Sequence, residues 1–128
     1  MTRPTEFLDL DDVLTLAAAL LGNPSPMRDV GLLGAAVARP RTTVFGEDAY
    51  PDVWTKAAAL LQSIVSNHAL VDGNKRLGWL ATAVFLEINN ASVAEAMNDD
   101  VYDLVWNVAA HDPTIEQIAD DLRRLGSR

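Results

Sequence analysis

The stretch PDVWTKAAALLQSIVSNHALVDGNKRLGWLATAVFLEI, residues 51–88, decides the fold. Pro51 suits the first position of a helix, and apolar residues follow it at helical spacing as far as His68. Residues 77–88 are apolar on nearly every side, which predicts a central buried helix. The stretch therefore predicts two hydrophobic helices joined by a polar segment at residues 68–76.

Helical patterns flank this pair on both sides. Residues 10–21 place apolar side chains at helical spacing, and residues 30–38 form a shorter helix that stops before Pro40. A further helix is predicted to begin at Asn98, and residues 114–117 fit a capping box that starts the last one. The chain is therefore expected to be helical along most of its length.

Evidence for strands is confined to residues 41–45, where β-branched side chains favour a short hairpin arm, or flap. We predict an all-α fold, a single compact domain over residues 1–128. It has about six helices, with the flap between the second and third helices.

Composition excludes several classes of protein. The chain of 128 residues has no cysteine, which rules out a disulfide scaffold, a zinc-thiolate site and a cysteine nucleophile. The net charge of −8 disfavours direct nucleic-acid binding. The first residues lack the pattern of a signal peptide, and no apolar run is long enough to span a membrane. We expect a soluble cytoplasmic protein that binds no membrane.

The segment at residues 68–76 carries the chemistry. His68 is able to accept a proton near neutral pH, and Asp72 offers a hard oxygen ligand that suits Mg²⁺. Gly73 permits a tight turn before a helix start, whose backbone N–H groups bind anions. Lys75 and Arg76 add positive charge there. These are the parts of a site for phosphoryl transfer from a nucleotide.

A purely structural interpretation of the same residues stays open on the chemistry alone. Asp-Gly-Asn is a common turn sequence, and His68 could satisfy the last carbonyls of a helix. His111 also lies at a predicted helix end, and this position favours a capping role over a catalytic one. The three tryptophans fall on helical stripes and are predicted to lie in the core: Trp54, Trp79 and Trp106.

The segment resembles the signature of the Fic/Doc superfamily, and its Doc branch in particular. The Doc pattern H-x-F-x-D-(G/A)-N-K-R is matched at six positions: His68, Asp72, Gly73, Asn74, Lys75 and Arg76. Lys75 replaces the second glycine of Fic enzymes, and Trp79 stands at the position of their final arginine. The chain departs from the family at Leu70, in place of phenylalanine, and at Gly34 and Leu80.

The resemblance implies a toxin of a type II toxin–antitoxin module. Such a toxin is a protein kinase that transfers the γ-phosphate of ATP to a threonine of elongation factor Tu and so blocks translation. His68 would be the catalytic base and Asp72 the Mg²⁺ ligand. Four residues would bind the nucleotide phosphates, namely Gly73, Asn74, Lys75 and Arg76. Asn67 would orient His68, and the flap at residues 41–50 would hold the target unless it is simply a connecting loop.

Two other functions stay open, an AMP transferase of the Fic type and an inactive Doc-like protein that only binds its antitoxin. No self-inhibitory motif is found, so inhibition is expected from another chain. The resemblance implies a Phd-like antitoxin whose disordered tail folds into a groove on the toxin. We expect residues 10–21 and 24–40 to form that groove's wall.

Overall fold

The computed structural model describes residues 3–126, which form a mostly helical domain. The predicted six helices and the flap are confirmed, the flap being an antiparallel hairpin of two short strands. In chain order the elements are α1 (Leu10–Leu21), α2 (Val30–Ala38), a 3₁₀ turn (Arg39–Arg41), β1 (Thr43–Val44), β2 (Glu47–Asp48), α3 (Val53–Asn67), α4 (Asn74–Ile88), α5 (Asn98–His111) and α6 (Ile115–Gly126).

Helix α3 lies at the centre of the domain and contacts α2, α4, α5 and α6. It packs tightly against Gly78 of α4, where an added β-carbon would stand 2.9 Å from Val65 Cγ2. Phe85 of α4 is the largest fully buried side chain, and its loss would cost about 3–5 kcal/mol. The two helices of residues 51–88 therefore form the core, as their sequence predicts.

Local hydrogen bonds fix where the helices begin. Asp9 and Asp52 cap α1 and α3, each in a reciprocal capping box. The predicted capping box at residues 114–117 is confirmed. Thr114 Oγ1 accepts from the Gln117 N–H at 3.1 Å, and Gln117 Oε1 accepts from the Thr114 N–H at 2.9 Å. Caps of this kind each contribute about 1 kcal/mol, so they set helix boundaries while the core sets stability.

Two predictions about burial are wrong. Helix α4 is not buried all round, since Trp79, Leu80 and Ala83 are half-exposed where α5 fails to cover them. Trp106 is 52% exposed, because the buried stripe of α5 runs through Val105 and Val108 and leaves position 106 to one side. Trp54 and Trp79, also predicted to lie in the core, are partly buried and pack against its edge.

The flap hairpin turns through Phe45 and Gly46, both with positive φ, as a two-residue loop requires. None of the helices within residues 3–126 is long and apolar enough to cross a membrane.

Candidate active site

The polar loop between α3 and α4 is bound along the segment that precedes α2. Met27 and Leu70 form an antiparallel bridge. The Ala69 carbonyl accepts from the N–H groups of Arg28 and Asp29, at 2.8 and 2.9 Å. These backbone bonds, made by residues about forty positions apart, hold the loop in one conformation.

Asn74 closes the loop from within. Its Oδ1 accepts from the Leu70 N–H and its Nδ2 donates to the Leu70 carbonyl, both at 3.0 Å. Asn74 is predicted to bind phosphate, and these bonds use one of its two Nδ2–H donors. The other Nδ2–H and the backbone N–H remain for an anion. The side chain therefore positions the loop.

His68 lies just beyond α3 and not on the helical stripe where the sequence placed it. It adopts the left-handed conformation that ends the helix, with φ 52° and ψ 43°, and its side chain is exposed. The Arg28 guanidinium donates to its carbonyl. Asn67 donates instead to the Leu32 carbonyl at 3.3 Å, which ties α3 to α2. The sharp turn directs the imidazole away from the core.

Asp72 and Gly73 form the corner where α4 begins. Gly73 has φ 89° and serves as the N-cap residue, without a side chain to cap the helix. Asp72 Oδ1 accepts from the Gly73 N–H at 2.8 Å, and Oδ2 lies 4.0 Å from the Arg76 guanidinium. The Asp72 side chain is 87% exposed, and an ion pair so exposed stabilises by at most about 1 kcal/mol. The carboxylate is therefore free to exchange this contact for a cation.

The start of α4 presents unused hydrogen-bond donors. Leu77 makes the first bond of the helix, to the Gly73 carbonyl at 2.9 Å. Within residues 3–126 the N–H groups of Asn74, Lys75 and Arg76 have no acceptor. Free donors at the positive end of a helix dipole form an anion-binding site.

All six motif residues meet in one cleft of about 440 Å³. Val65, Ser66, Val71 and Ala109 complete its lining. A base, a carboxylate, free backbone donors and two cations therefore share one solvent-filled space, as the sequence predicted. No cluster of three residues able to ligate a metal occurs within residues 3–126. The lone Asp72 carboxylate fits Mg²⁺, which takes one or two carboxylates and completes its shell with water and phosphate.

A contact that the sequence does not reveal joins the motif to α5. Lys75 Nζ lies 5.9 Å from the centre of the Trp106 ring, which itself stacks on Tyr102 at 6.4 Å. A cation–π contact at an exposed site contributes about 0.5–1 kcal/mol, less than a hydrogen bond to a charged group. Lys75 would therefore leave Trp106 for a phosphate. No local spacing links positions 75 and 106.

A second cavity, which we call the α4–α5 groove, adjoins the cleft. It measures about 530 Å³ and is mostly apolar. Its lining consists of Leu20, Lys75, Arg76, Trp79, Leu80, Ala83, Asn98, Val101, Tyr102, Val105 and Trp106. Lys75 and Arg76 line both spaces, so whatever fills the groove reaches the two cations of the cleft.

Comparison with known proteins agrees with this geometry. The model of the Fic/DOC family matches residues 7–86, which include the whole cleft motif. The chain is 52% identical over 119 residues to Toxin Doc of Mycolicibacterium smegmatis, an alignment that covers 92% of each chain. On both counts, this chain belongs to the Fic/Doc family.

Proposed function

We propose that this protein is a Doc-type toxin, a kinase that transfers the γ-phosphate of ATP to a threonine of elongation factor Tu. The observation that carries the proposal is the convergence of His68, Asp72 and the free N–H groups of α4 on one cleft. Likeness to Toxin Doc over nearly the full chain supports the same assignment.

The residues of the cleft have separate roles in the proposed phosphoryl transfer. His68, exposed at the rim, accepts the proton of the incoming hydroxyl. The N–H groups of Asn74, Lys75 and Arg76 bind phosphate oxygens, and the two side-chain cations offset the charge that develops there. Asp72 would hold Mg²⁺, which supplies further neutralisation of the phosphates when bound.

The family departure at Leu70 is compatible with an active enzyme. Leu70 is 2% exposed and bonded through both its backbone groups to Asn74, so a leucine fills the phenylalanine position without loosening the loop. Lys75 favours transfer of phosphate over transfer of AMP, because it brings a cation where Fic enzymes have glycine. At Gly34, an added β-carbon would meet a single atom within 4 Å, Leu10 Cδ2 at 3.7 Å. The presence of glycine in place of the family's glutamate has no structural explanation.

Growth arrest tests the assignment of the site. His68→Ala should abolish toxicity in expressing cells while leaving the helical circular-dichroism spectrum unchanged, because the side chain is exposed. The rate should fall by about 10²–10⁴. His111→Ala is the matched control, since His111 is also an exposed histidine at a helix end. Full arrest by His68→Ala would refute the proposed base.

We further propose that the partner is a Phd-like antitoxin whose disordered tail folds as a helix in the α4–α5 groove. Of the wall expected at residues 10–21 and 24–40, this groove includes only Leu20. Its apolar lining needs apolar side chains, and the net charge of −8 favours a few basic ones placed away from Lys75 and Arg76. A tail seated there would also contact Lys75 and Arg76.

Two exposed apolar residues distinguish the α4–α5 groove from the wall first expected. Tyr102 lies in the groove and is 66% exposed, whereas Val30 lies on α2 and is 49% exposed. Tyr102→Ala should weaken binding of the antitoxin tail at least ~10-fold, the effect of losing an aromatic interface residue. Val30→Ala should leave the affinity unchanged. The reverse result, measured by calorimetry, would move the partner to α2.

A further inference from the structure

A buried lysine lies beneath the flap and has no role in the reaction proposed above. Lys56, on the second turn of α3, is 3% exposed. Its ammonium donates to Asp48 Oδ2 at 3.0 Å and to the Tyr50 carbonyl. Lysines are almost never fully buried unless they are paired, so the position demands a partner on the hairpin.

The hairpin has little else to hold it. Every residue from 41 to 49 is exposed, Phe45 fully and Val44 by about half. Of the four strand residues, only Asp48 joins its side chain to the body of the described domain by a hydrogen bond or ion pair. The position of β2 therefore depends on Lys56.

Other cations hold the two ends of the flap. Arg39 Nε donates to the Tyr50 hydroxyl at 2.9 Å, and its guanidinium also donates to Ser63 Oγ at 2.8 Å. Arg41 lies over the Phe7 ring, 4.9 Å from its centre. These contacts fix where the chain leaves and rejoins the helices. They do not fix the orientation of the two strands, which depends on the ion pair between Lys56 and Asp48.

The base of the flap connects this pair to a cavity beside the proposed active site. Thr42, which precedes β1, lines a common cavity with Asn67, the residue before His68. Lys56 lies about three turns earlier on α3, about 16 Å from Asn67 along the axis. Thr43 pairs with Asp48, and the Ala49 N–H donates to the Thr42 carbonyl at 2.9 Å, so Thr42 and the charge pair lie at the same base of the flap. The charge pair therefore acts on the end of the flap that shares a cavity with Asn67.

We propose that Lys56 is a positioning residue that, by holding Asp48, fixes the flap in the orientation that presents a target hydroxyl to His68. The proposal rests on the proposed function, in that the flap receives the protein target. Lys56 touches neither nucleotide nor target in this account. Its loss should impair recognition of the target and spare the nucleotide.

The test uses Lys56→Met, which replaces the buried charge with an apolar chain of similar length, and Asp48→Asn, which breaks the pair from its exposed side. Each variant should raise the KM for the protein target about tenfold and change kcat and the ATP Kd less than about twofold. Amide hydrogen exchange at residues 43–48 should accelerate in both. Glu47→Gln is the matched control, with the same loss of charge on the same strand away from Lys56.

Unchanged exchange at residues 43–48 in Asp48→Asn, or equal acceleration in Glu47→Gln, would overturn the proposal. So would a loss of kcat with an unchanged KM. If Lys56→Met fails to fold, Asp48→Asn alone tests the proposal. The Asp48 side chain is 58% exposed, so this variant is expected to fold. If the unmodified protein transfers nothing to elongation factor Tu, the proposed function fails. Hydrogen exchange at residues 43–48 then still tests whether the pair of Lys56 and Asp48 holds the flap.

Discussion

Gly73 lies directly against Leu21, so that a β-carbon added at Gly73 would stand 2.8 Å from both δ-carbons of the leucine. Leu21 is the last residue of α1, and Gly73 is the N-cap of α4. The corner of the active-site loop is therefore shaped by a helix fifty residues earlier in the chain. Helix α1 supports the site even though it contributes no residue to the cleft.

This contact makes Gly73→Ala destabilising for two separable reasons. An alanine at φ 89° is strained by about 1–3 kcal/mol, and the clash with Leu21 adds to that. Leu21→Ala removes the clash and leaves the strain. Urea unfolding of the double variant should therefore show less destabilisation than the sum of the single ones, by at least about 0.5 kcal/mol. Additive changes in the free energy of unfolding would mean that the two residues do not interact.

Lys75 is expected to contribute its charge and not its backbone conformation. Both Lys75→Gly and Lys75→Ala should lose phosphoryl transfer. Glycine also weakens the helix by about 1 kcal/mol, so alanine isolates the effect of charge. Lys75→Arg should retain part of the activity as the charged control. Unchanged transfer by the alanine variant would leave Lys75 as a solvated residue at a helix start.

Nucleotide binding should alter the fluorescence of Trp106. Lys75 Nζ lies over its ring, and a phosphate is expected to draw the ammonium away. Adding ATP with Mg²⁺ should therefore change the emission of the unmodified protein. In Trp106→Phe the remaining Trp54 and Trp79 should show no such change. An equal change in that variant would place the responding tryptophan elsewhere.

Asp52 should govern part of the stability in acid. Burial raises the pKa of its carboxyl, but the Thr55 N–H and the Arg123 guanidinium outweigh burial, so the pKa falls below the ordinary 3.8. A lowered pKa in the folded state means that stability is present above pH 3.8 and is lost as the pH falls through the folded value. Asp52→Asn should thus destabilise at pH 7 and matter little near pH 2.

Urea unfolding of both proteins at the two pH values measures this effect. Asp120→Asn is a useful control, because Asp120 also pairs with Arg123 but caps no helix. An equal loss of stability for Asp52→Asn at both pH values would show that charge on Asp52 does not contribute.

Much of the fold was predictable because its signals are local. Apolar spacing and capping residues gave the bounds of α1 and α2, and the turn at Gly73 marked the break between α3 and α4. The motif residues were predictable as a group because they lie within nine positions of one another. Their convergence on one cleft follows from that closeness and from the tight turn.

The rest depends on contacts between residues far apart in sequence. Arg28 bonds to the His68 carbonyl, and Lys75 meets Trp106, yet no periodicity relates either pair. The bonds between Asn74 and Leu70 could not be predicted, because they form only when the loop closes. Exposure of Trp106 was missed because a large aromatic side chain usually marks a core.

The central claim is that this cleft transfers the γ-phosphate of ATP to elongation factor Tu. Incubating the purified protein with elongation factor Tu and ATP labelled at either the α or the γ phosphorus tests it most directly. We predict that label from the γ position alone becomes bound to elongation factor Tu, and that Asp72→Ala abolishes the transfer. Label from the α position would indicate transfer of AMP, and the absence of label from either position would contradict the claim.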